Sequence, residues 1–321
     1  MGAIPAVCLM GPTASGKTGL ALRIAAEFPC EIISVDSVMI YRGMDIGSAK
    51  PDKTVLQTVP HHLIDILDPA ETYSAANFRA DALRQIRAIH ARKHIPLLVG
   101  GTMLYFSSLL RGLSNMPGAN AQVREKINLE AKAHGWEALH ARLAGIDPKA
   151  ATQIHPNDPQ RIQRALEVYE VSGIPISVWH AKSGAPRPMF EALKIALVPE
   201  DRGRLHERIR QRFEVMLADG FLGEVEALRC REELHSGLPS IRSVGYRQAW
   251  SHLAGECGYE AMCEKAVAAT RQLAKRQLTW LRGETDLIRV RAEQYDIGNI
   301  YRAIDSHIGT STCYTTGTPR R

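Results

Sequence analysis

Residues 11–18 read Gly-Pro-Thr-Ala-Ser-Gly-Lys-Thr, which is the spacing G-x-x-x-x-G-K-[ST]. The octapeptide follows an apolar run at 6–10 and opens an amphipathic stretch at 17–28. No other feature constrains the fold so strongly. Glycines at 11 and 16 let the backbone curl until successive N–H groups face one anion, and a following helix adds the positive end of its dipole. Gly11, Pro12, Thr13, Ala14, Ser15, Gly16, Lys17 and Thr18 therefore form a candidate cradle for a diphosphate or triphosphate. Lys17 supplies a movable positive charge. The Thr18 hydroxyl is placed to ligate Mg²⁺.

Further apolar runs at 31–35, 62–67, 95–99 and 193–198 read as buried strands, with helical periodicity at 17–28 and 75–94 between the early ones. Ser74 is the expected N-cap of the second helix. This alternation predicts an α/β fold, a P-loop NTPase-like parallel sheet flanked by helices. From 114 to 188 only helical patterns remain, at 121–134, 136–143 and 159–172, interrupted by breaks at 115–120, 145–148, 155–159 and 183–188. A helical segment between two strands of one sheet reads as an inserted all-helical domain. The expected organisation is a core over 1–113, an insertion over 114–190, the core again over 191–303 with helices at 205–217 and 259–282, and a disordered tail over 304–321. That tail, from 306 onward, is rich in Ser, Thr and Gly.

Ligands of open α/β sheets bind at the carboxyl ends of the strands, so the residues ending each run matter. The run at 95–99 ends in Gly100-Gly101-Thr102, where a nucleoside triphosphatase would place a carboxylate for its metal. Thr102 would face the crevice, and the glycine pair would admit close approach of another molecule; a tight turn would leave the same trace. The run at 31–35 ends in Asp36-Ser37. Asp36 is placed to be a base, a metal ligand or a helix cap.

Lys and Arg total 40 against 34 Asp and Glu, a formal charge of +6 that suits a polyanionic partner. On a helical wheel Arg271, Lys275 and Arg282 fall within about 40° of one another, while Leu273, Trp280 and Leu281 point elsewhere. Such a stripe fits a phosphate backbone or a solvated face. Arg161 with Arg164, and Arg242 with Arg247 around Gly245-Tyr246, make smaller clusters, and Tyr246 is either a stacking platform for a base or core. The six cysteines, at 8, 30, 230, 257, 263 and 313, form no C-x-x-C pair and are expected as free thiols in a reducing, cytoplasmic setting. No apolar run reaches the roughly 18 to 20 residues of a membrane helix, and no basic region precedes the first apolar stretch.

Taken in order, Gly11–Thr18, Asp36-Ser37 with Tyr41-Arg42, residues 47–51, Gly100-Gly101-Thr102, the stretch from His155 to Asp158 with Arg161 and Arg164, residues 243–247 and residues 275–282 resemble the tRNA dimethylallyltransferases, or isopentenyltransferases. The resemblance spans about residues 5–283. It implies transfer of a dimethylallyl group from dimethylallyl diphosphate to N6 of the adenine beside the anticodon, in tRNAs reading codons that begin with U. It implies catalytic roles for Asp36 as base, Thr102 as the residue that orients the amine or the carboxylate, and Lys17 with Arg212 as diphosphate clamp, Arg208 being a further candidate on the same helix. It implies an anticodon stem-loop bound by Asp36, Ser37, Val38, Met39, Thr102, Arg124, Gln160, Arg161, Ile162, Gln163, Arg164, Arg242, Ser243, Val244, Gly245, Tyr246, Arg247, Lys275, Arg276, Gln277, Leu278, Thr279, Trp280, Leu281 and Arg282. Mg²⁺ on Thr18, ATP as an occupant of the cradle and a monomeric state belong to the same expectation. Met39 departs from the pattern, since many members carry Gln there; base recognition at that spot would then use packing or backbone atoms. The rival readings are a P-loop small-molecule kinase using ATP, with the insertion as its lid, and a non-catalytic nucleotide-gated RNA-binding protein.

Overall fold

The computed structural model describes residues 3–114, 116–181 and 189–309. Strands β1 (Ile4–Met10), β2 (Cys30–Val35), β3 (His61–His62), β4 (Ile95–Gly100), β5 (Phe190–Val198) and β6 (Leu287–Arg291) form one sheet in the order β3-β2-β4-β1-β5-β6, with every neighbouring pair parallel. β1 shows why both faces must be covered. Its alternation sends Ala6, Cys8 and Met10 to one buried face and Val7 and Leu9 to the other.

The first face packs α3 (Ala75–Ala91) and α4 (Met103–Arg111), and the second packs α1 (Lys17–Glu27); α2 (Lys53–Thr58) buries no residue. α3 begins in a capping box, where Ser74 accepts from the Asn77 N–H at 3.1 Å. Phe78, Ala82, Ile86 and Ile89 then fall on one stripe and are buried, the larger three contributing roughly 2 kcal/mol each.

The contacts divide the chain into one unit of Met1–Leu110 with Met189–Arg321, and a second of Arg111–Pro188. The second unit is all-helical: α5 (Ala121–Ile146), α6 (Pro148–Gln153), α7 (Pro159–Ser172) and α8 (Ile176–Ala181) around Ile127, Leu139, Leu143, Ile162 and Leu166. Gly135, at φ +80°, breaks α5 between the two helical patterns read from the sequence. In the first unit, α9 (Arg202–Ala218), α10 (Phe221–Arg229), α11 (Tyr246–Leu253) and α12 (Tyr259–Arg282) build a further core with Ile40, Tyr41 and Met44, and α13 (Ile297–Gly309) returns to the second face of the sheet.

Several expectations need correction. The apolar run at 62–67 is not a continuous strand; His61–His62 pairs with β2 and Leu67 makes an isolated bridge to Tyr41, while Leu63 and Asp65 between them take left-handed backbone angles of +62° and +55°. The expected elements do not include β6 or the helices α2, α4, α6, α8, α10, α11 and α13. The tail begins later than expected: α13 buries Ile300, Ile304 and Ile308, so 304–309 are core helix. The rest of the tail, with Cys313, and the break at 183–188 lie outside the described residues. Cys8, Cys30, Cys230, Cys257 and Cys263 are free thiols, and burial pushes Cys8 and Cys30 up to about 12.

Candidate active site

Because all six strands run parallel, the ends of β1, β2, β4 and β5 emerge along one edge of the sheet, and the segments after them line one cavity of about 230 Å³. Its polar side carries Thr13, Lys17, Thr18, Asp36 and Arg212. Its apolar side carries Val38, Met39, Ile209, Phe213, Met216, Phe221 and Leu273.

The loop after β1 is tightly curled. Gly16 sits at φ +90° as the N-cap of α1, and Ala14 at φ +60° is a non-glycine residue in the same region. A Cβ at Gly11 would stand 2.7 Å from the Leu197 carbonyl and 2.8 Å from Ser15 Oγ. Ser15 Oγ is buried without a hydrogen-bond partner, an orphan that a bound oxyanion would satisfy. Lys17 Nζ donates to the Pro12 carbonyl at 2.6 Å. Desolvation lowers its pKa to about 7, helped by Arg212 and opposed by Asp36. Arg212 donates to Thr13 Oγ1 at 3.3 Å and to the Ser48 carbonyl at 3.4 Å, and burial lowers its pKa as well. Arg212, not Arg208, lines the cavity, which decides between the two arginines. Two cations held against a desolvation cost, beside an orphaned hydroxyl, describe an anion site.

Two donors of the loop are already engaged. The Thr13 N–H donates to Gln277 Oε1 at 2.9 Å and the Ser15 N–H to the Pro12 carbonyl at 3.4 Å. Gln277 Nε2 in turn donates to the Gly101 carbonyl at 2.8 Å. This buried amide on α12 thus ties the loop to the end of β4. It also explains the glycine pair: a Cβ at Gly101 would stand 2.5 Å from Gln277 Nε2, and one at Gly100 would collide with the Val35 carbonyl. The protein's own chain approaches both glycines closely, and both also line the cavity.

Asp36 Oδ1 accepts from the N–H groups of Val38 at 2.8 Å and Met39 at 3.2 Å, an Asx-type turn that fixes the carboxylate at the cavity. Among the described residues Oδ2 has no hydrogen-bond partner. The cap and base readings therefore describe two different oxygens of one group. Among the described residues no hydrogen bond joins Thr102 to the Asp36 carboxylate. Thr102 Oγ1 accepts from the Ser37 N–H at 3.2 Å, and its own N–H donates to the Val35 carbonyl at 3.2 Å, so it braces the turn from behind.

The apolar wall rests on a bond that sequence reading missed. Glu224 accepts from the N–H groups of Asp45, Ile46 and Gly47 at 2.8, 2.7 and 3.1 Å, and from Tyr246 Oη at 2.6 Å. Tyr246 is fully buried, so it is a structural post and offers no face to a base. Burial first, then Glu224, raises its phenol pKa. A Cβ at Gly47 would collide with Phe221 and press on Tyr246, so a glycine there is a packing requirement.

The residues expected to meet RNA have divided fates. Lys275, Arg276, Thr279 and Arg282 are exposed on α12, whereas Gln277 and Leu281 are buried and Leu278 and Trp280 half-buried. Arg242 and Arg247 are exposed, Ser243 is half-buried, and Val244 and Gly245 line the cavity. In the helical unit Gln160 and Arg161 are exposed, but Ile162 is core, and Gln163 donates to Asn128 Oδ1 at 2.6 Å. Arg124 and Arg164 both grip buried Glu167 at 2.8 Å, joined by the Asn120 N–H at 2.7 Å. Burial raises the Glu167 pKa, and these donors outweigh it to leave it below the ordinary range.

A metal has a modest donor set here. Among the described residues no three His, Cys, Asp or Glu side chains converge. Thr18 and Asp36 both line the cavity beside the cradle, which fits a magnesium ion that takes most of its oxygens from substrate phosphates and water. Thr18 would hold it, and the ion would supply charge neutralisation.

Fold and site define a parallel α/β protein with a crevice at the strand ends that brings together a glycine-rich loop, a carboxylate and apolar side chains. The family model for IPP transferases matches residues 39–284. The chain belongs to the IPP transferase family. A curated tRNA dimethylallyltransferase from Thioalkalivibrio sulfidiphilus (strain HL-EbGR7) is 55% identical over 304 residues, 95% of each chain. The crystal structure of the tRNA isopentenylpyrophosphate transferase from Bacillus halodurans superposes with a TM-score of 0.69 at 34% identity, covering 95% of this chain and 96% of that one. A eukaryotic dimethylallyltransferase acting on tRNA gives a TM-score of 0.78 at 26% identity, covering 96% of this chain and 80% of that one.

Proposed function

We propose that this protein transfers a dimethylallyl group from dimethylallyl diphosphate to N6 of the adenine adjacent to the anticodon, in tRNAs that read codons beginning with U. The observation that carries the reading is one cavity lined by Lys17 and Arg212, by Asp36 and by the apolar side chains of Val38, Phe213, Met216 and Phe221, beside a loop whose Ser15 Oγ is buried without a hydrogen-bond partner. The diphosphate rests on the N–H groups of Ala14 and of Gly16 to Thr18, where Lys17 and Arg212 hold the charge that grows as the allylic C–O bond breaks. Val38, Phe213, Met216 and Phe221 enclose the hydrocarbon and exclude water from the cationic carbon. The N6 lone pair forms the new C–N bond, and the proton it sheds passes to Asp36 Oδ2. Diphosphate leaves. The base must be out of its stack to reach this depth.

Mg²⁺ on Thr18, occupation of the cradle by ATP as a competitor, a monomeric state and a cytoplasmic site of action belong to the same proposal. Among the described residues no helix is long and apolar enough to cross a membrane. The kinase reading lacks support at the end of β4, where Gly101-Thr102 stands in place of a metal-holding carboxylate. The test is incubation with unmodified tRNA and labelled dimethylallyl diphosphate, in parallel with labelled ATP. Label entering tRNA from the first mixture alone is the expected result. Phosphoryl transfer from ATP would favour the kinase, and no transfer from either would favour a binding protein.

A further inference from the structure

A second cleft, of about 280 Å³, opens between the first turns of α9 and the later half of α12. Its floor is Leu205, Ala274 and Leu278, which belong to the small apolar cluster that also packs Ala14 of the phosphate loop. Its walls are basic: Arg202, His206, Arg271, Lys275 and Arg282. Among the described residues none of these four Arg and Lys side chains has a carboxylate within ion-pair distance. Their neighbours on α9 behave differently, with Arg204 engaged by Asp201 and Arg210 by Glu207 and Glu214. Glu207, on α9, is not among the cleft's lining residues. Its carboxyl is held low first by Arg210, with Arg271 contributing only through space. Arg271 Nε is also shut away from solvent with no hydrogen-bond partner. Like charges converging on a concave surface repel unless an anion joins them, and a buried guanidinium N–H without an acceptor is costly.

We propose that this cleft is a phosphate-binding site and that its occupant is a backbone phosphate of the bound tRNA. Arg202, His206 and Arg271 lie outside the segments that the family resemblance assigns to RNA. They extend the exposed face of Lys275, Arg276, Thr279 and Arg282 on the same helix. That continuity favours a polymer over a free phosphate. The inference rests on the tRNA reading above.

The test uses the full chain with Arg202→Gln and Arg271→Gln, singly and together, and unmodified tRNA titrated between 50 and 200 mM KCl. The double variant should bind tRNA about ten-fold more weakly at low salt, with the slope of log affinity against log salt shallower by about two, one per lost phosphate contact. Its KM for dimethylallyl diphosphate at saturating tRNA should not change. Arg271→Lys, which keeps a charge, should restore most of the slope, and circular dichroism checks that each variant is folded. Wild-type affinity and slope in the double variant would overturn the proposal while leaving the transferase reading intact. Wild-type protein that neither binds nor modifies tRNA would overturn both. Inorganic diphosphate provides the other arm: a second calorimetric binding event, absent from the double variant whose tRNA affinity is unchanged, would assign the cleft to free diphosphate and refute the RNA occupant.

Discussion

Gln277 lies within the run 275–282 that the family resemblance gives to RNA, yet its side chain is buried and bridges the Thr13 N–H and the Gly101 carbonyl at 2.9 and 2.8 Å. Gln277→Ala therefore strips a buried donor and a buried acceptor of their partners in one step. Each orphan costs about 1–3 kcal/mol, and water entering the space recovers part, so a net loss of roughly 2–4 kcal/mol in unfolding free energy is expected. The loop is left untethered at Thr13, the residue that also meets Arg212 at 3.3 Å. Loss of that preorganisation should raise the KM for dimethylallyl diphosphate about ten-fold, equivalent to about 1.4 kcal/mol. Affinity for tRNA should stay within about two-fold, because no exposed atom of the α12 face is removed. Gln277→Glu keeps the acceptor for Thr13 but loses the donor to Gly101 and adds negative charge beside the cradle, so its KM should rise further. Urea unfolding, steady-state kinetics in each substrate and a tRNA binding titration give the three readouts. A variant with wild-type stability and donor KM but weakened tRNA binding would refute the bridge and return Gln277 to the RNA surface.

Asp36→Asn should lower kcat by ~10²-fold or more while tRNA binding survives, since Asn keeps the turn to Val38 and Met39 but cannot take the proton at Oδ2; single-turnover rates beside a binding titration decide it. Lys17, brought to about 7 by burial, is largely neutral in the empty protein at pH 8, and a bound anion restores its charge; binding of sulfate, which carries no titratable proton at pH 8, should take up close to one proton, and Lys17→Arg should abolish the uptake, read as the buffer dependence of the calorimetric enthalpy. Glu31, buried on β2, accepts from Arg92 at 2.8 and 2.6 Å and meets His62 and His94 at 2.7 and 2.8 Å, and these bonds, Arg92 first, hold its pKa near about 2. Its folded pKa lies below the unfolded one, so its stabilisation is complete above the ordinary carboxylate range and fades as pH falls toward 2. Glu31→Gln should thus cost on the order of 2 kcal/mol at pH 7 and much less near pH 3, measured by urea unfolding at both values.

Local patterns carried much of the fold. The apolar run of β1, the capping box before α3, the Pro159–Ser172 helix and the loop at Gly11–Thr18 are each set by residues within a few positions of one another. Those parts were legible because sterics, caps and amphipathic period act over one or two turns. What the sequence left open were pairings across long separations. It placed Asp36 and Gly101 at strand ends, but only the sheet order set β2 and β4 side by side, with Val35 pressed against Gly100. It marked 275–282 as one basic run, but the packing of α12 turned Gln277 inward to the loop and left Lys275 and Arg282 outside. It offered Tyr246 as core or platform, and Glu224, 22 residues away, decided for core. A lone glutamate or glutamine has no local period to betray it. Its partner is chosen by which backbone groups tertiary packing shuts away from water, and that choice exists only once the chain has closed around them.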